Sequence, residues 1–138
     1  MKKPIQKYRK SVLNQLSNFL DKKHREVFAL YLFGSFISKK SFSDIDLAVL
    51  INKEIGDPFS YESGLEYALQ ILIGKPIDLR ILNYAPISFC YTVIKTGIVM
   101  LDKDPNQRSD FESRVIRQYL DFEYFQRRYL SEVADAPV

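Results

Sequence analysis

Apolar residues recur at three- and four-residue steps through Ile5, Tyr8, Val12, Leu16, Phe19 and Leu20, which predicts an amphipathic helix over 5–23. The pattern then changes. Glu26 to Phe33 is a continuous apolar, β-branched and aromatic run, short enough to be a buried strand, and it ends at Gly34-Ser35. A polar stretch, Ser38 to Ser43, separates it from a second strand over 44–51. Pro58 and Ser60 open a helix whose Tyr61, Leu65, Ala68, Leu69 and Leu72 share a face, and Gly74 closes it. A third strand covers 76–82, Pro86 begins a short helix that Gly97 stops, and 98–101 is a brief fourth strand. Pro105 starts a long helix reaching about residue 133, with Phe111, Val115, Tyr119 and Phe122 spaced as its buried stripe.

The order α-β-β-α-β-α-β-α predicts an α/β (α+β) fold: a small mixed sheet flanked by helices, with a long C-terminal helix. The length of 138 residues suits one domain, divided into an N-terminal helix (1–25), a core (26–104) and the C-terminal helix (105–138). With 46% hydrophobic and 14% aromatic residues the chain can bury a real core, which argues against disorder. It holds no uncharged apolar run of about 18 residues, so no membrane span is expected. Met1-Lys2-Lys3-Pro4 is not followed by an apolar signal-peptide core, and the expected location is the cytoplasm.

Charge divides the chain unevenly. Residues 1–25 hold eight Lys/Arg and one acidic residue, a balance of +7, so the remainder must carry −4 to give the net +3. The basic first helix reads as a solvated outer face or as a surface for nucleic acid or an acidic partner, and the total is too small to predict direct nucleic-acid binding on charge alone. Cys90, the only cysteine, excludes an internal disulfide and a cysteine-cluster zinc site; its apolar surroundings make it a buried, inert thiol. His24, between Lys23 and Arg25, reads as a solvated helix-end residue.

The chemistry lies on the strands. Side chains alternate between the faces of a strand, so Ile45, Leu47, Val49 and Ile51 form a core face and leave Asp44 and Asp46 together on the other. Two carboxylates side by side repel, and Asp is disfavoured in strands, so the pair needs a cation. A divalent metal with oxygen ligands is the economical one. The third strand repeats the pattern: Ile77, Leu79 and Ile81 face the core, Asp78 and Arg80 the opposite side. If it lies beside the second strand, Asp78 completes a three-carboxylate cluster, the kind that holds two metal ions to activate an attacking oxygen and stabilise a leaving phosphate. Arg80 either holds phosphate or offsets the acids. Gly34-Ser35 follows a buried strand, where free backbone N–H groups and a hydroxyl can receive phosphate oxygens, and Lys39 and Lys40 follow closely enough to screen a triphosphate.

Gly34-Ser35, a gap ending in Ser43, Asp44-Ile45-Asp46-Leu47 and later Ile77-Asp78-Leu79 together resemble the signature of the polymerase-β nucleotidyltransferase superfamily, within it the minimal nucleotidyltransferases. Leu82 to Pro86, Ile94 to Gly97, Asp102 to Pro105 and Tyr119 to Phe122 are similar to the antitoxin branch encoded beside HEPN-domain toxins. The resemblance implies a polymerase-β-like fold with 26–104 as catalytic core. It also implies an enzyme that transfers AMP from ATP to a tyrosine of a partner HEPN ribonuclease and so silences it, releasing pyrophosphate. Asp44, Asp46 and Asp78 would be the catalytic and metal-binding residues, with two Mg²⁺ ions, or Mn²⁺ in their place. Gly34, Ser35, Lys39, Lys40, Ser43 and Arg80 form the candidate nucleotide-binding set.

One departure stands out. Many relatives carry Ala-Arg-Gly after Gly-Ser, whereas here the stretch is Phe36-Ile37-Ser38-Lys39-Lys40-Ser41-Phe42, leaving Lys39 or Lys40 to replace the missing Arg. The alternatives are an antitoxin that acts by complex formation alone, its carboxylates vestigial, and a nucleotidyltransferase for a small molecule. The second usually needs an acceptor domain for which this chain has little length left. Tyr119, Phe122, Tyr124, Phe125 and Tyr129 cover more than one helical face, so the surplus is expected to meet the toxin or a second copy.

Overall fold

The computed structural model describes residues 2–34 and 44–135. Helix α1 (Lys2–Lys23) leads into β1 (Val27–Phe33) and β2 (Ile45–Ile51). Helix α2 (Pro58–Ile73), β3 (Ile77–Ile81) and a 3₁₀ turn (Leu82–Tyr84) follow, then α3 (Ile87–Thr96), β4 (Ile98–Asp102) and α4 (Pro105–Asp135). Every expected element is present, with ends displaced by a few residues at most; the 3₁₀ turn is the addition. Local chemistry sets the ends. Asp57 caps α2 by accepting from Ser60 N–H at 3.2 Å, and Pro58 occupies the first turn, where no donor is needed. Gly74, at φ 78°, closes the same helix in the left-handed conformation and donates its N–H to Gln70 O.

The strands form one sheet in the order β3-β2-β1-β4, with β2 and β3 parallel and the other pairs antiparallel. Both faces are covered. On one, Val12, Leu16 and Leu20 of α1 and Leu65 and Leu69 of α2 pack on Leu30, Leu32, Ile45, Leu47, Val49, Ile51, Ile77, Leu79 and Ile81. On the other, Cys90 and Val93 of α3 and Phe111 and Val115 of α4 cover Ala29, Tyr31, Ala48 and Leu50. Burying such side chains is worth about 1.5–3 kcal/mol each, so these two clusters are the main attraction holding the layers together.

Polar side chains fasten the layers at their margins. Strand β3 is an edge whose outward backbone groups need partners. Helix α2 supplies them at successive turns: Gln70 Nε2 donates to Ile77 O at 3.0 Å, and Leu79 N–H and Ile81 N–H donate to Glu66 and Glu62, both at 2.9 Å. The Asn83 amide bonds both backbone groups of Ile51 at 3.0 Å, which holds the end of β2 to the 3₁₀ turn. Tyr31 donates to Glu112 at 2.6 Å, and Arg108 bridges Glu112 and Asp102 at 3.1 and 2.9 Å, tying α4 to β1 and β4.

Three expectations are corrected. Leu72 is exposed, and Ile73 packs against the core in its place, because α2 lies over the β3 edge on its Leu65–Leu69 stripe. Phe122 is 59% exposed, because α4 outruns the sheet: the buried residues of α4 are Phe111 and Val115, and Tyr119 stacks on Tyr91 at 3.9 Å just beyond them. His24 is only partly solvated; its Nδ1 lies 3.4 Å from Glu26 and its ring against Phe19. Among the described residues no helix is long and apolar enough to cross a membrane.

Two measurements check this scheme. Glu66→Ala should destabilise the fold by about 1–2 kcal/mol, since the Leu79 donor loses its partner while the helix gains only a few tenths from Ala. An unchanged urea midpoint would show that α2 does not seal the edge. Burial pushes the Glu26 carboxyl up, but hydrogen bonds from Tyr61, from its own backbone N–H and from His24 outweigh that and hold it below its ordinary 4.5. The resulting stability is complete above pH 4.5 and is lost as pH falls through the lower folded value. Tyr61→Phe should therefore be less stable than the parent at neutral pH, with a gap that narrows in acid.

Candidate active site

Strand β2 alternates between two environments, and the acids occupy the end of one of them. Its buried residues are interrupted only by Asp46, which is half-buried, and Asp44 is exposed just ahead of the strand. Ala48 and Leu50, further along the face that carries Asp46, are sealed under α3 and α4. The face is thus closed at one end and open where the carboxylates are. Parallel pairing sets Asp46 directly across from Asp78, and Ile45 N–H donates to Pro76 O at 3.1 Å to pin this register at the strand starts. The conditional placement of the third strand beside the second is therefore met. Asp78 and Arg80 alternate with the buried Ile77, Leu79 and Ile81 and are both more than half exposed.

Asp46 feels both of its acidic neighbours. Burial raises the Asp46 carboxyl above its usual range, and the negative charges of Asp78 and then Asp44 raise it further. Gly34, at φ 77°, stands at the end of β1 against this carboxylate; a Cβ there would land on Asp46, with its Cγ only 3.1 Å away. Glycine is required twice over, by the left-handed backbone and by the space. Arg80 Nε lies 3.7 Å from Asp78 Oδ1, and its guanidinium sits 5.8 Å from the centre of the Phe89 ring. Phe89 in turn meets Phe33 edge-on at 5.6 Å, and Phe33 is the β1 partner of Asp46.

The donor set suits a hard divalent cation in kind: three carboxylates, with no sulfur or imidazole, on or just ahead of two paired strands, with Asp78 and Asp44 repelling Asp46. Among the described residues no three side chains are already drawn together as a metal cage. Asp78 is paired with Arg80 instead. The structure thus sets Asp46 across from Asp78, with Gly34 and Arg80 against them and Asp44 just ahead of the strand; Ser35, Lys39, Lys40 and Ser43 lie outside the described residues. Phe33 and Phe89 are the site-lining residues that sequence reasoning missed. Strand parity could have found Phe33, two residues after Tyr31 on the same face, whereas Phe89 carries no sequence signal. Cys90 is buried beside Leu82 O, and burial pushes its thiol up to about 11, the inert cysteine expected.

The model of the family described as polymerase beta, nucleotidyltransferase, matches residues 14–106, which span the sheet and the acids. The chain belongs to this family. No curated protein sequence matches it. Several solved structures share its fold. A toxin–antitoxin complex, MntA–HepT, is 22% identical with a TM-score of 0.71, covering 91% of this chain and 98% of that one. A rebuilt structure of a tri-AMPylated Shewanella oneidensis HEPN toxin with its MNT antitoxin has the same identity and coverages and a TM-score of 0.72. A toxin–antitoxin complex with AMP-PNP is 22% identical, TM-score 0.73, covering 88% of this chain and 98% of that one. The polymerase-β-like fold expected from the sequence is the fold observed.

Gly34→Ala should destabilise this nucleotidyltransferase by about 1–3 kcal/mol, through the strained backbone and the displaced Asp46 carboxylate. Asp46→Ala in the same chain should recover the steric part of that loss but not the backbone part. Additive effects of the two substitutions in thermal denaturation would show that Gly34 and Asp46 do not touch.

Proposed function

We propose that this chain transfers AMP from ATP to a tyrosine of a partner HEPN ribonuclease toxin and thereby neutralises it. The observation that carries the reading is the in-register pair Asp46–Asp78, with Asp44 beside it and Gly34 at its edge. Family membership supports nucleotidyl transfer, and the tri-AMPylated toxin in one similar complex supports AMP as the group and a HEPN protein as acceptor. AMP-PNP in another supports an adenine nucleotide as donor.

Asp44, Asp46 and Asp78 would hold two Mg²⁺ ions, or Mn²⁺, which supply charge neutralisation for the triphosphate and lower the pKa of the attacking hydroxyl. The acceptor phenol forms an O–P bond at the α-phosphorus as the α–β P–O bond breaks, and the electron pair leaves on pyrophosphate. Asp78, the more exposed of the facing pair, would receive the phenolic proton. Gly34 keeps the backbone close to Asp46 without a side chain between them. With Ser35, Lys39, Lys40 and Ser43, Gly34 forms the proposed phosphate cradle, and Arg80 adds a permanent positive charge on the Asp78 side. Little bond chemistry is asked of the protein; the gain comes from positioning and charge.

The test is incubation with α-labelled ATP, Mg²⁺ and the HEPN partner. Label should enter the partner, and Asp44→Ala, Asp46→Ala and Asp78→Ala should each reduce transfer at least about 100-fold while the complex still forms. Tight complex formation without label in the parent protein would instead establish an antitoxin that acts by binding.

A further inference from the structure

The Asp78–Arg80 pair has features that a purely structural ion pair lacks. Both side chains are more than half exposed and the contact is 3.7 Å, so water competes with it and it contributes little to stability. Arg80 is nevertheless not loose. Its guanidinium lies over Phe89, whose edge-on contact with Phe33 and packing against the second core fix the ring. The cation is anchored at its flat face and weakly held at its charged edge. Across the strand from its partner stands Asp46, already burdened by its neighbours. Asp78–Arg80 is thus an ion pair that reaches into this acid cluster.

We propose that Arg80 is an exchangeable counter-ion of Asp78, with Phe89 as its positioning residue. In the metal-free protein Arg80 occupies the carboxylate. A divalent cation displaces it, and Phe89 keeps the released guanidinium beside the site, where it takes a phosphate oxygen of the nucleotide. Arginine suits the task because it stays charged at every working pH, stacks on an aromatic face and offers several donors. The inference rests on the reading of the three acids as a divalent-cation and nucleotide site.

The signature is a pair of opposite changes. Mn²⁺ binding to the full chain without nucleotide, followed by electron paramagnetic resonance, should tighten about 3- to 10-fold in Arg80→Gln, because a competitor for Asp78 is gone. Binding of AMP-PNP in saturating Mn²⁺ should weaken about 3- to 10-fold in the same variant. Phe89→Leu, which keeps every charge, should weaken AMP-PNP in the same direction, with circular dichroism confirming an unchanged fold. Parent protein that binds Mn²⁺ with Arg80→Gln no tighter overturns the counter-ion role and leaves the metal site standing. Unaltered AMP-PNP binding in Phe89→Leu, alongside a loss in Arg80→Gln, overturns the positioning role. Parent protein that binds no Mn²⁺ overturns the metal-site reading and the counter-ion with it.

Discussion

The parallel register between β2 and β3 is the constraint on which the rest of the site depends. Strand side chains have a period of two, so a slip by one residue would turn Asp78 into the core and Leu79 out to solvent. The register is held from several directions at once. Ile45 bonds Pro76 at the strand starts, the isoleucines and leucines of both strands interlock under α1 and α2, and Asn83 fastens the turn after β3 to Ile51. Helix α2 then zips along the free edge with Glu62, Glu66 and Gln70. Two acidic side chains are thus used on backbone donors of the same strand whose opposite groups pair with β2. The edge that could have recruited another strand is closed, and β3 has one available register.

That rigidity allows the fold to hold an unfavourable arrangement of charge. Asp46 is half-buried with Asp78 across from it and Asp44 nearby, and its carboxyl is raised as a result. A chain selected for stability alone would place Ala or Thr there. The hydrophobic layers tolerate the repulsion because the acids lie at the open end of a face whose remainder, Ala48 and Leu50, is packed in the ordinary way. Neutralising one of these carboxylates removes the repulsion and so is the type of change that gains stability.

Most of this was legible in the chain. Period-two alternation in Asp44 to Ile51 and Ile77 to Ile81 was enough to place three acids on one side and the core on the other, and paired strands then bring them together. Helix ends followed from Pro58, Gly74 and Pro105, residues whose backbone preferences need no tertiary context. What escaped depends on long-range contact. Glu62, Glu66 and Gln70 look like a solvated helix face until the strand edge is beside them. Phe89 could not be tied to Arg80, because α3 must first be laid on the sheet. Phe122 was misplaced because helical spacing alone cannot tell where a helix outruns its support.

Exposure at the acids bears on what kind of acceptor this domain can serve. Rapid transfer needs a site that excludes water and fixes the attacking oxygen. Here the described residues leave Asp78 and Arg80 more than half open. A protein acceptor brings walls of its own, and docking supplies the ordering that an enclosed pocket would otherwise provide. The long α4, with Leu120, Phe122, Phe125 and Tyr129 all more than half exposed beyond its last buried residue, offers apolar surface that a free-standing small-molecule enzyme would have little reason to carry. An open acid-bearing face and an uncovered apolar helix on the same domain fit the proposed protein acceptor, which would complete the site by docking on it.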